Sequence, residues 1–119
     1  MATDLFQLTE EGPIKVLALL LPMTIDSSEF DRLNESVLDA LGREPGAGWV
    51  LDLTGVTYMG SAVLGLMVNI RQVVLKGQGK LVLCGMSERL MRIFETCCME
   101  RLFKIVPARA DALRAVSRR

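Results

Sequence analysis

Few side chains in this sequence are equipped for covalent or acid–base chemistry, and they stand apart from one another. The thiols are Cys84, Cys97 and Cys98, and the chain has no histidine. Without imidazole the commonest general acid–base group is missing, so a serine or cysteine nucleophile would need an unusual activator. Asp52 is a carboxylate inside an apolar run. It reads as a partly exposed, hydrogen-bonded strand position rather than a catalytic acid, because the pattern places no second carboxylate beside it to share acid–base work. The three cysteines form no CxxC pair, and zinc would need a fourth ligand from elsewhere. Cys97 and Cys98 are neighbours, a spacing that strains a disulfide. All three are expected to be reduced and in or near the core, with no metal and no cofactor. An enzyme working through Cys84 or the Cys97-Cys98 pair is the one catalytic reading left.

Binding chemistry is also narrowed. GxxxxGK[ST] and GxGxxG are both absent, so no phosphate cradle is apparent. The 14 basic residues are matched by 14 acidic ones, which removes the electrostatic warrant for nucleic-acid binding. The tail from Arg109 through Arg114 to Arg118-Arg119 is locally basic, but it includes Asp111 and reads as a solvated helix end. The longest strongly apolar run, Val16–Leu21, is far shorter than the ~20 residues that cross a bilayer. The N-terminus carries Asp4, Glu10 and Glu11 and lacks the basic-then-apolar order of a signal peptide. The expectation is a cytoplasmic protein with no membrane insertion.

The elements that position these residues alternate between strand and helix. At 119 residues, half of them apolar, the chain reads as one domain over residues 1–119 with an ordinary core. A weak strand, Leu5–Thr9, precedes the Glu11-Gly12-Pro13 turn and the buried strand Ile14–Leu21, which Pro22 stops. Asp26 and Glu29 are spaced as a capping box for a first helix, whose stripe is Phe30, Leu33, Val37, Leu38 and Leu41. Trp49–Leu53 is the next strand. A helix from about Ala62 to Lys76 follows, with Gly65, Asn69, Gln72 and Lys76 as its wet stripe. Lys80–Cys84 is a further strand, and Ser87 caps a third helix burying Leu90, Ile93, Phe94 and Cys97. Leu102–Val106 reads as an edge strand, and Asp111–Val116 as a last helical turn or two. The order implies an α/β fold: a mixed, mostly parallel sheet of four to five strands with about four helices, and a hairpin at one edge.

In such sheets, sites form where loops leave the carboxyl ends of strands. Three loops qualify: Leu21 to Asp26, Thr57 to Ala62, and Gly85-Met86-Ser87. Each enters a helix N-terminus, and Met23, Met59 and Met86 would give their shared end a soft, apolar patch suited to a protein partner.

The second loop carries a resemblance. Val56-Thr57-Tyr58-Met59-Gly60-Ser61-Ala62-Val63-Leu64-Gly65 resembles the V-[TS]-[FY]-[MI]-D-S-S-G-L-G loop of STAS (anti-sigma-factor antagonist) domains. Gly79 to Ser87 resembles their G-x-[LM]-V-[LV]-C strand and loop. Arg92-Ile93-Phe94 with Leu102-Phe103-Lys104-Ile105 resembles their R-[IL]-F…LFKI stretch. The likeness runs from Ile14 to about Val116. It implies a STAS-type fold and a non-enzymatic signalling module that binds an anti-sigma factor which is also a serine kinase. In the family, phosphorylation of the loop's second serine switches that binding off, since a phosphate adds charge and bulk at a docking helix N-terminus.

Aligned on Val56 and Leu64, the family's aspartate falls on Gly60, its first serine on Ser61, and its phosphoacceptor on Ala62, so the usual switch is expected to be missing. Ser61 is then either the N-cap of the second helix or a displaced phosphorylation site. The partner-binding residues expected are Met23, Thr24, Asp26, Met59, Gly60, Ser61, Ala62, Leu64, Met86 and Ser87. Two other roles keep the fold: a STAS scaffold subunit of a stress-sensing complex built with other STAS proteins, or an accessory subunit gripping the transporter ATPase of an ABC-type lipid transporter.

Overall fold

A computed structural model describes residues 5–117. Arg118 and Arg119 of the basic tail lie outside them. The strands are β1 (Phe6–Glu11), β2 (Ile14–Leu20), β3 (Gly48–Gly55), β4 (Lys80–Cys84) and β5 (Lys104–Val106). The helices are α1 (Ser27–Gly42), α2 (Ser61–Lys76), α3 (Glu88–Thr96) and α4 (Arg109–Ser117), with a short 3₁₀ turn at Met99–Leu102.

The strands lie side by side in chain order, β1-β2-β3-β4-β5. β1 and β2 form an antiparallel hairpin through Gly12, whose φ of +62° suits a tight turn without a Cβ. The remaining pairs are parallel. Sequential order has a consequence. Each parallel connection steps in the same direction, so right-handed crossovers put α1, α2 and α3 on one face. There Leu17, Leu19, Leu51, Leu53 and Leu83 of the sheet meet Leu33 and Val37 of α1, Leu66 and Ile70 of α2, and Leu90 and Phe94 of α3. The alternate residues, Ile14, Val16, Val50, Val82 and Cys84, point the other way and would be bare without α4, whose Ala112 and Val116 cover them. The strands are apolar on both faces because both faces are buried.

Local signals hold at α1. The Asp26 carboxylate accepts from Glu29 N at 2.8 Å, and Glu29 Oε1 accepts from Asp26 N at 3.1 Å. β3 runs further than Trp49–Leu53, because Gly55 still pairs with Leu20.

Two expectations are corrected around the end of α3. Leu102 is not in a strand. α3 stops at Thr96, Cys98 takes a left-handed conformation with φ +58°, and the reversed chain forms the 3₁₀ turn that buries Met99 before β5 begins at Lys104. The same reversal leaves Cys97 and Cys98 exposed, whereas Cys84 is fully buried. No described helix is long and apolar enough to cross a membrane.

Candidate partner-binding surface

The three loops lie at the carboxyl ends of β2, β3 and β4, and the second leads into α2. The first and second touch directly, with Thr57 Oγ1 donating to Met23 Sδ at 3.5 Å. Between them lies a hollow of about 210 Å³, lined from Leu21 to Ile25 on one side and by Tyr58, Gly60 and Ala62 on the other. A wider groove of about 440 Å³ lies on the opposite side of Gly60, between the start of α2 and the exposed face of α3. Gly60, Ser61 and Ala62 thus form a ridge with a depression on each flank.

The ridge is shaped by its buried neighbours. Val56, Met59 and Val63 are anchored in the core, at 1 %, 2 % and 7 % exposure. This corrects the expected methionine patch. Met23 is 52 % exposed and Met86 half-buried, but Met59 turns inward and touches only the floor of the wider groove. Gly60, with φ −81° and ψ 178°, is the N-cap of α2, and no side chain caps the helix. Ser61 is therefore not the cap but the first helical residue. Ser61 and Ala62 are both exposed, and Leu64 is half-buried. The N–H groups of the first turn of α2 face outward without a side-chain acceptor, giving the ridge a partial positive charge.

The other expected residues divide by role. Thr24 is exposed beside Met23. Asp26 lies at the same end, but its carboxylate is spent on the α1 cap. The Ser87 hydroxyl likewise caps α3, accepting from Leu90 N at 3.1 Å.

Two features of this end were missed by sequence reasoning. Arg89 lies over the Tyr58 ring at 5.7 Å, and Arg92 flanks the same groove. The spacing of the two arginines in α3 was the available signal. Beneath the loops, Asp52 is buried at 8 % exposure rather than partly exposed. Its Oδ1 accepts from Thr54 N at 2.9 Å and Thr54 Oγ1 at 2.6 Å, and its Oδ2 from Arg109 Nε at 3.0 Å and Nη2 at 2.8 Å. Burial pushes the Asp52 carboxyl up, but the bonds from Thr54 and Arg109 outweigh it and hold the group below its ordinary range. The Cys84 thiol, buried nearby, is pushed up to about 11 by desolvation first and by the Asp52 charge second. A thiol so placed is protonated and inert at neutral pH.

The described residues form a sequentially ordered α/β sheet with the uncapped N-terminus of α2 beside two hollows. The STAS domain family model matches residues 6–112, and the chain belongs to that family. Over 55 residues it is 40 % identical to the anti-sigma-B factor antagonist of Listeria monocytogenes, a match covering 46 % of this chain and 48 % of that protein. The chain thus spans about half the length of the curated relatives it matches. Among solved structures, an anti-sigma-factor antagonist (STAS) domain protein from Planctomyces limnophilus superimposes with a TM-score of 0.82 at 20 % identity, covering 95 % of this chain and 98 % of that one. An anti-sigma factor antagonist from Mycobacterium paratuberculosis gives 0.79 at 18 % identity, covering 95 % and 93 %. At those identities the likeness is one of fold.

Proposed function

We propose that this STAS domain is a non-enzymatic, cytoplasmic protein-binding regulator of the anti-sigma-factor antagonist type, and that it lacks a serine switch. Its partner is a kinase-type anti-sigma factor or a similar switch protein, held by the Gly60–Leu64 ridge and the Met23–Thr24 loop. The observation that carries this reading is Ala62. It is exposed in the first turn of α2, where it lines the hollow beside the Met23 loop. A group there meets any protein docked on the ridge, and alanine has no hydroxyl to phosphorylate. The partial match to the Listeria antagonist supports the same class.

Ser61 is a poor substitute for the lost acceptor. Successive residues of an α-helix are turned by roughly 100°, so a kinase aligned on position 62 meets the Ser61 hydroxyl on a different side. The test is incubation with ATP and the purified partner kinase, followed by mapping of phosphate. No phosphate on the 60–64 segment of the intact protein, and stoichiometric phosphate on the Ala62→Ser variant, is the expected result. Stoichiometric phosphate on Ser61 of the intact protein would contradict it.

A further inference from the structure

The wider groove carries information about the partner beyond its class. Its lining includes two half-buried apolar side chains, Leu64 on the α2 side and Ile93 on the α3 side. Its rim holds two guanidinium groups, Arg89 and Arg92, and no carboxylate lines it. Two other hollows differ. The one between the Met23 loop and the ridge has no charged lining residue. A third, at the opposite end of the sheet, balances Lys15 and Arg43 with Glu10 and Glu44. In a chain of zero formal charge, this groove is locally cationic, and the uncapped N-terminus of α2 adds a partial positive charge on its other side.

Among the described residues, neither arginine is firmly occupied. Arg92 meets the exposed Glu88 at 3.5 Å on the surface of the same helix, a pair of small net worth. Arg89 lies over the exposed Tyr58 ring at 5.7 Å and lines the groove, and a guanidinium stacked on a ring can still donate to a planar acceptor.

We propose that this groove docks an acidic segment of the partner protein, with one apolar side chain seated between Leu64 and Ile93 and carboxylates against Arg89 and Arg92. The proposal rests on the reading that the ridge is a protein-binding face, and it extends that face from α2 onto α3. Complementary charge at the rim sets orientation and discriminates against basic partners, while the apolar seat excludes water around the contact.

The experiment is a nuclear magnetic resonance titration of the isotope-labelled full chain. The probes are short synthetic peptides bearing one central leucine flanked by Asp and Glu, and the same peptides with Lys in place of the acids. The acidic peptide should saturably shift the amides of Tyr58–Leu64 and Arg89–Cys97. Binding should weaken as salt is raised, and become about tenfold weaker in an Arg89→Ala/Arg92→Ala variant whose remaining spectrum is unchanged. Equal shifts from the basic peptide, shifts confined to other surfaces, or no shifts at all would overturn the proposal. So would movement of the groove amides on raising the protein concentration alone, which would make a second copy the occupant. No anti-sigma factor is needed, so failure to find a kinase partner and failure of the acidic-groove assignment are separate results.

Discussion

Arg109 of α4 and Asp52 of β3, 57 residues apart in sequence, are joined by two hydrogen bonds to one carboxylate oxygen, at 3.0 and 2.8 Å. The pair fastens α4, on the far side of the sheet, to the strand that leads toward the Gly60–Ala62 ridge. The other Asp52 oxygen is held by Thr54, so an amide at this position, with one acceptor oxygen in place of two, cannot serve both Thr54 and the half-exposed Arg109.

Asp52→Asn is expected to destabilise the fold by about 1–3 kcal/mol at neutral pH, read by urea unfolding. The pH dependence has a definite sign. The folded-state pKa of Asp52 lies below the ordinary aspartate value, so the group's contribution is fully present above that ordinary value. It is lost as pH falls toward and through the lower folded-state pKa. The intact protein should lose stability over that acidic range more steeply than the variant, and parallel curves would contradict the assignment.

Gly85 and Gly65 should respond oppositely to alanine. Gly85 has φ +75°, and a Cβ there would come within 2.3 Å of Thr54 Oγ1 and 2.9 Å of Asp52 Oδ1. Gly85→Ala is expected to cost about 2–4 kcal/mol through backbone strain and displacement of that network. At Gly65, on the exposed face of α2, a Cβ meets nothing within 4 Å. Gly65→Ala should stabilise by about 0.4–1 kcal/mol, since alanine loses less chain entropy on entering a helix. Thermal unfolding of the two variants beside the intact protein checks both signs.

The cysteines should divide in two. Cys97 and Cys98 are exposed, whereas Cys84 lies under α4 with its thiol pushed up to about 11. Brief treatment with a maleimide under native conditions, followed by mass mapping, should modify Cys97 and Cys98 and spare Cys84 until denaturant is added. Native modification of Cys84 would mean that α4 opens readily.

What was legible in the sequence was local or periodic. The Asp26–Glu29 capping box is a three-residue relationship, the β1–β2 hairpin follows from Glu11-Gly12-Pro13, and the parallel sheet from the alternation of strand and helix. Cys97 was misplaced because helical periodicity was carried one residue past Thr96, where α3 ends before the chain reverses at Cys98. Met59 was misplaced because a loop residue has no periodicity to say which way it faces. The Asp52–Arg109 pair was invisible because nothing local in either segment points to the other. At the ridge, the motif located Gly60, Ser61 and Ala62, but the groove beside them needs α3 brought alongside α2, which only the assembled sheet provides.

Under the proposed function, the ridge around Ala62 holds a kinase-type anti-sigma factor without a phosphoserine switch. The most direct measurement is affinity capture from native lysate by the intact protein and by Ala62→Glu, whose carboxylate mimics the missing phosphate, with the captured protein identified. Recovery of a serine kinase of the anti-sigma type by the intact protein and not by the variant is the predicted result. Equal recovery by both, or recovery of a transporter ATPase or of other STAS chains in its place, would contradict it.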